Sequence, residues 1–103
     1  MKIPKRLRIG GFIWEVKEDF DIKEEGGIHG STHYKKQKIF LDPEISQQKK
    51  EQTLLHEIMH AIWWQTGLWE RYKEEPTKKI EEEIIHALSM GIYQVLKENR
   101  FLR

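Results

Sequence analysis

The chain contains no cysteine. Disulfides and every thiolate metal site are therefore excluded, and a metal ion would have to be held by His, Asp or Glu. A long hydrophobic run is missing as well: no segment approaches the roughly 20 apolar residues that a membrane span needs. The basic start "MKIPKRLRIGG" is not followed by the apolar core, about 7–15 residues long, of a secretory signal. Nor is there an excess of one charge, since 18 Lys and Arg face 17 Asp and Glu for a formal net charge of +1. Nucleic acids and anionic membranes select proteins with a basic face, so neither is expected as a partner. Internal repeats and low-complexity tracts are absent too. The expectation is a soluble, unprocessed, cytoplasmic protein.

What is present is a globular composition, 38% hydrophobic and 34% charged, in 103 residues. That length fits one domain, residues 1–103, with a modest core. "LRIGGFIWEVKEDF" (7–20) holds two alternating runs around Gly10-Gly11, a pair that supplies the positive φ angles of a hairpin turn. After a break at Gly26-Gly27, alternation from about 28 to 34 predicts a third strand, and "KIFLD", stopped by Asp42-Pro43, predicts a fourth. From about 44 to 66 the period becomes helical and closes at Gly67. A charged connector, "LWERYKEEPTKK", leads through Pro76 to a second helix over about 77–98, marked by the stripe Ile80, Ile84, Ala87, Leu88, Gly91 and Val95. The expected fold class is α+β: strands within about 7–42 form a small, mainly antiparallel sheet packed on two long helices.

Chemistry concentrates in "LLHEIMHAIWW" (54–64), an apolar run whose only polar groups are His56, Glu57 and His60. Burying a carboxylate and two imidazoles is costly unless something satisfies them. They spell HExxH, which on a helix puts both imidazoles one turn apart on one face, within reach of a single Zn²⁺. Glu57 projects roughly 100° further round, placed to act on a metal-bound water as general base and proton shuttle. Zinc lowers the pKa of a bound water to about 7 and polarises a carbonyl, so the chemistry implied is hydrolysis of an amide or peptide bond. A chance match would belong on a solvated face rather than in an apolar helix.

A catalytic zinc needs a third protein ligand. Candidates are Glu81, Glu82, Glu83 and His86 downstream, and His29 and His33 upstream; on a strand the last two lie about 13 Å apart and cannot serve one ion together. Helical phase favours Glu82, because Glu82, His86, Ser89 and Tyr93 form one polar stripe along an otherwise apolar helix. The competing reading takes "EEE" as a charged first turn, with His86 in solvent. Trp63 and Trp64 are read mainly as core, with a substrate pocket as the alternative. Tyr93 is a candidate hydrogen-bond donor to an oxyanion. The strand Lys38–Asp42, were it at a sheet edge, would offer its backbone to an extended substrate.

The pair "LLHEIMHAIWWQTGL" and "IEEEIIHALSMGIYQVLKEN", preceded by "GSTHYKKQKIFLD", resembles the small HExxH metallopeptidase-like proteins of phages and prophages related to the ImmA/IrrE family, over about residues 28 to 100. The resemblance implies a minimal zincin fold of gluzincin type. In that family the third ligand is a Glu opening the motif Glu-x-x-Ala-Asn/Asp-x-Phe-Ala, which laid on "EEIIHALS" matches Glu82. Leu88 then stands for the Phe and Ser89 for the last Ala. His86 departs from the family's Asn or Asp, either as a group hydrogen-bonding a liganding imidazole or as a competing ligand. A zinc metallopeptidase with a peptide or protein substrate, a repressor among them, is what the resemblance implies. The alternative is a non-catalytic, metal-stabilised phage accessory module. Oligomeric state is not legible in the sequence.

Overall fold

Residues 2–22, 29–74 and 77–99 are described by a computed structural model of the chain. The expected break at Gly26-Gly27, the strand residue Ile28 and the helix-opening Pro76 lie outside these residues.

The first two expected strands form β1 (Arg6–Ile9) and β2 (Phe12–Glu18), antiparallel with Ile9 opposite Phe12. Gly10 and Gly11 make the turn at φ +57° and +88°, a region L side chains rarely enter. A Cβ at Gly10 would also meet the amide end of the Gln65 side chain, which would have to move aside. That glutamine joins the hairpin to a helix: it donates from Nε2 to the Ile9 carbonyl and accepts from Trp14 Nε1 at 3.0 Å.

The remaining strands are β3 (Gly30–His33) and β4 (Lys38–Leu41), antiparallel to one another. β4 also pairs with β2, in parallel, so the order is β1-β2-β4-β3 and the sheet is mixed with a parallel central pair. β4 is interior and the edge belongs to β3, so the backbone of Lys38–Leu41 is not available to a substrate. Alternation sets the core face: Trp14 and Val16 from β2 and Ile39 and Leu41 from β4 are buried against one another. Leu54 and Ala61 of the first helix complete that cluster.

That helix, α1 (Gln47–Gln65), begins where Ser46 Oγ accepts from Lys49 N at 3.2 Å. It ends at Thr66, followed by Gly67 at φ +86°. Within the charged connector a single further turn forms, α2 (Leu68–Arg71), before α3 (Thr77–Glu98). The class is α+β with two long helices, as expected. α1 packs on β1, β3 and β4 and also on α3, so it stands between the sheet and α3. Glu81, Ile85 and Ser89 are buried on α3, whereas Ile80, Ile84, Leu88 and Val95 are exposed. The apolar stripe that marks this helix in the sequence is therefore not the face it buries. Among the described residues no helix is long and apolar enough to cross a membrane.

Candidate metal centre

His56 and His60 occupy successive turns of α1, and Glu82 reaches them from the first turns of α3. His56 Nε2 and His60 Nε2 lie 3.2 Å apart, and the Glu82 carboxylate sits 3.0 Å from the latter and 3.8 Å from the former. One ligand atom from each falls within 4.8 Å of the others. Zinc bonds of about 2.0–2.1 Å in a tetrahedron put ligand atoms about 3.3 Å apart. The spacing thus matches what a shared ion requires.

The far sides of the rings show which nitrogens carry lone pairs. His60 Nδ1 lies 2.8 Å from Glu81 Oε2, both side chains being buried, so its N–H donates to that carboxylate. His56 Nδ1 is 3.4 Å from Ser89 Oγ, whose hydroxyl donates to the His86 carbonyl at 3.1 Å and so accepts from the ring. In neutral rings so oriented, both Nε2 atoms are acceptors facing a third acceptor, the Glu82 carboxylate. A proton on one nitrogen would satisfy one pair, whereas a divalent cation satisfies all three atoms. Two imidazoles and a carboxylate, with no thiolate, suit zinc, and the oriented Nδ1 groups are what such ligands carry behind them.

Glu57 sits beside this group, buried, with Oε1 accepting from Thr32 Oγ1 at 2.7 Å. β3 approaches closely here: a Cβ on Gly30 would lie 2.6 Å from Thr53 Cγ2 and 3.1 Å from Glu57 Cγ, so only glycine allows the strand this near the helix. Burial, and then the Glu82 charge, push the Glu57 carboxyl above the usual range, against the Thr32 hydrogen bond and His60. His56 is pushed below 6.5 by burial and by His60 and His86, with Glu82 opposing, which favours the neutral ring a metal needs. The whole group opens on a cleft of about 410 Å³ whose walls include His29, Gly30, Lys49 and His86.

Of the alternatives raised by the sequence, Glu81 stands behind His60 rather than beside the lone pairs, and Glu83 and His86 are outside the three-residue group. The His86 ring centre is 6.1 Å from that of His56, on the cleft wall. His29 also borders the cleft, with Nδ1 3.9 Å from Asp42 Oδ2. His33 packs edge-on against Phe40 at 4.8 Å instead. Tyr93 is not an oxyanion donor in this arrangement: its hydroxyl donates to Glu51 Oε1 at 2.8 Å. Trp64 stacks on Tyr34 at 5.4 Å and Trp63 lies by Tyr72, both away from the cleft. Sequence reasoning missed Thr32, and it raised Glu81 only as a ligand candidate, not as the partner of His60 Nδ1. Thr32 shares the inward face of β3 with Gly30, a signal the alternation already carried. Glu81 had only its place next to Glu82.

No family model, no curated protein and no solved structure matches this chain.

Proposed function

We propose that the chain is a zinc-dependent metallopeptidase that hydrolyses a peptide bond in an extended peptide or protein segment. The observation that carries this reading is the convergence of two Nε2 lone pairs and the Glu82 carboxylate at an open cleft, with a buried, tethered carboxylate, Glu57, beside them. A purely structural zinc is usually closed by four protein ligands and has no use for a second carboxylate held beside them.

When bound, the ion would polarise the scissile carbonyl and acidify the attacking water. Glu57 Oε takes the proton from that water as its oxygen bonds to the carbonyl carbon, then gives it to the departing amine as the C–N bond breaks. Thr32 holds Glu57 in the rotamer that faces the cleft, and Glu81 and Ser89 hold the two imidazoles. The edge strand β3, whose Gly30 borders the cleft, offers backbone groups to which an extended substrate can add as a further strand. Kinship with the ImmA/IrrE-like metallopeptidases, a repressor as substrate and a cytoplasmic site of action belong to the same proposal.

The test compares zinc content, thermal stability and cleavage of a peptide library for the wild type, Glu57→Gln and Glu82→Ala. Glu57→Gln should keep its zinc and lose about 10²–10⁴-fold in turnover. Glu82→Ala should lose zinc affinity far beyond Glu81→Ala or Glu83→Ala. Full activity in Glu57→Gln, or no cleavage by zinc-loaded wild type, would leave a metal-stabilised interaction module instead. Equal affinities across the three glutamate variants would move the third ligand, with His86 the next to replace.

A further inference from the structure

We propose that the outward face of α3 binds a second copy of this chain, the two α3 helices packing antiparallel about a two-fold axis between Ala87 and Leu88. Ile80 is 47% exposed, Ile84 40%, Leu88 50%, Ile92 40% and Val95 48%. They form one continuous side of the helix, and no Lys, Arg, Asp or Glu occurs from 84 to 96 in a chain that is 34% charged. A helix side meant for water carries charges instead.

The pattern identifies the occupant. Reversing the helix about the midpoint of Ala87 and Leu88 exchanges Ile80 with Val95, Ile84 with Gly91, and Ala87 with Leu88, three apolar pairs along the middle of the contact, while Ile92 at its margin comes level with Glu83. The self-contact is also knob against notch. A shallow groove of about 400 Å³ runs past Ala87, Leu88, Gly91 and Val95, and a Cβ on Gly91 would meet nothing within 4 Å. The side chain brought opposite Gly91 is Ile84 of the second copy. Residues near a two-fold axis face their own copies, so any charge there would be repelled; this stripe has none.

Area sets the strength. The partly exposed Ile80, Ile84, Leu88 and Val95, with Ala87 and the Gly91 notch, put the surface buried in a pair on the order of 1,000 Å². That is the lower end for specific association, so the dimer is expected to dissociate on dilution. The surface uses none of His56, His60 and Glu82, so it does not rest on the metal reading.

Sedimentation velocity across about 1–500 μM should show the mass rising from 12.5 kDa to twice that value. Gly91→Leu fills the notch from a position where a Cβ meets nothing within 4 Å, and Leu88→Glu places like charges at the axis. Each should weaken dimerisation at least about tenfold while circular dichroism keeps the wild-type helix signal, with Gly91→Leu melting no lower than the wild type because glycine is the poorer helix former. Because the chain has no cysteine, single cysteines report orientation: Ala87→Cys should cross-link to itself, and Ile80→Cys to Val95→Cys in a mixture but not to itself. A monomer at every concentration, dimers as tight in both variants as in the wild type, or efficient Ile80→Cys self-cross-linking would overturn the proposal.

Discussion

Two polar clusters lie along the contact between α1 and α3, and they differ in whether their donors and acceptors cancel. At one end Glu51, 2% exposed, accepts from Tyr93 Oη at 2.8 Å, from Lys97 Nζ at 3.2 Å and from Gln47 Nε2 at 3.4 Å. Burial alone would push this carboxyl up, but the hydrogen bonds it accepts, those from Tyr93, Lys97 and Gln47 among them, hold it down at about 2. At the other end His56 Nε2, His60 Nε2 and the Glu82 carboxylate crowd together at the mouth of a cleft. A protein interior tolerates the first arrangement because it is complete. In the proposed reading the second is completed by a cation, which would make it a site rather than a strut.

The largest effect that tests this contrast is at Glu81. Removing it as Glu81→Ala leaves the buried His60 Nδ1–H without its acceptor and frees the ring to turn, although no ligand atom is lost. Zinc affinity should fall about 10–100-fold, as it does when partners behind metal-bound imidazoles are removed. Glu81→Gln, which keeps an acceptor oxygen without the charge, should recover part of the loss. Competition with a chromogenic chelator measures both. A Glu81→Ala chain that is destabilised yet binds zinc at wild-type strength would make this end a strut like the other.

Glu51→Gln is the reciprocal experiment, with an effect on folding alone. The amide oxygen can take the place of Oε1, which meets both Tyr93 and Lys97, but the amide loses the charge opposite Lys97 and sets an NH2 where Oε2 accepts from Gln47, so the expected loss is about 1–3 kcal/mol of stability. Zinc affinity should stay within about threefold, the cluster being separate from the ligands. The pH dependence has a definite sign. The folded Glu51 is held at about 2 against the ordinary 4.5. Its contribution is therefore fully present above pH 4.5 and is lost as pH falls from there toward 2. Tyr93 behaves oppositely: burial, then Glu51, raise it to about 12 from 10, so stability is lost as pH rises between those values. Urea melts over this range should show Glu51→Gln flattening the acid limb. An acid limb unchanged in the variant would assign it to other carboxylates.

These contrasts also explain what the sequence made legible. His56, Glu57 and His60 stand out because helical period and an apolar background both isolate them, and Glu82 follows from phase on the next helix. β1, β2 and the Gly10-Gly11 turn are local, so alternation is enough to find them. β4 proved interior because its pairing with β2 joins strands about twenty residues apart, and periodicity carries no information about such partners. Tyr93 looked like a member of the site because it shares a stripe with Glu82. The stripe spans three turns of α3, and only its first half reaches the cleft. The outward apolar side of α3 could not be told from a core face, since a pattern records that a surface avoids water and not whether its cover is the same chain.

The smallest effect is the one that separates orientation from packing. Ser89 is fully buried, and its hydroxyl joins the His86 carbonyl to His56 Nδ1 through a contact of 3.4 Å, longer than the Glu81 bond and uncharged. Ser89→Ala deletes one small atom, leaves the carbonyl in its helical bond and lets the ring rock about its Cβ–Cγ axis. Folding should change by less than about 1 kcal/mol, with zinc affinity down no more than about tenfold. Ser89→Thr restores the hydroxyl at the same position and should restore affinity if its extra methyl is accommodated. If Ser89→Ala instead bound zinc as tightly as the wild type, His56 would be held by the shape of the α1–α3 contact, and hydrogen-bonded orientation would be confined to His60.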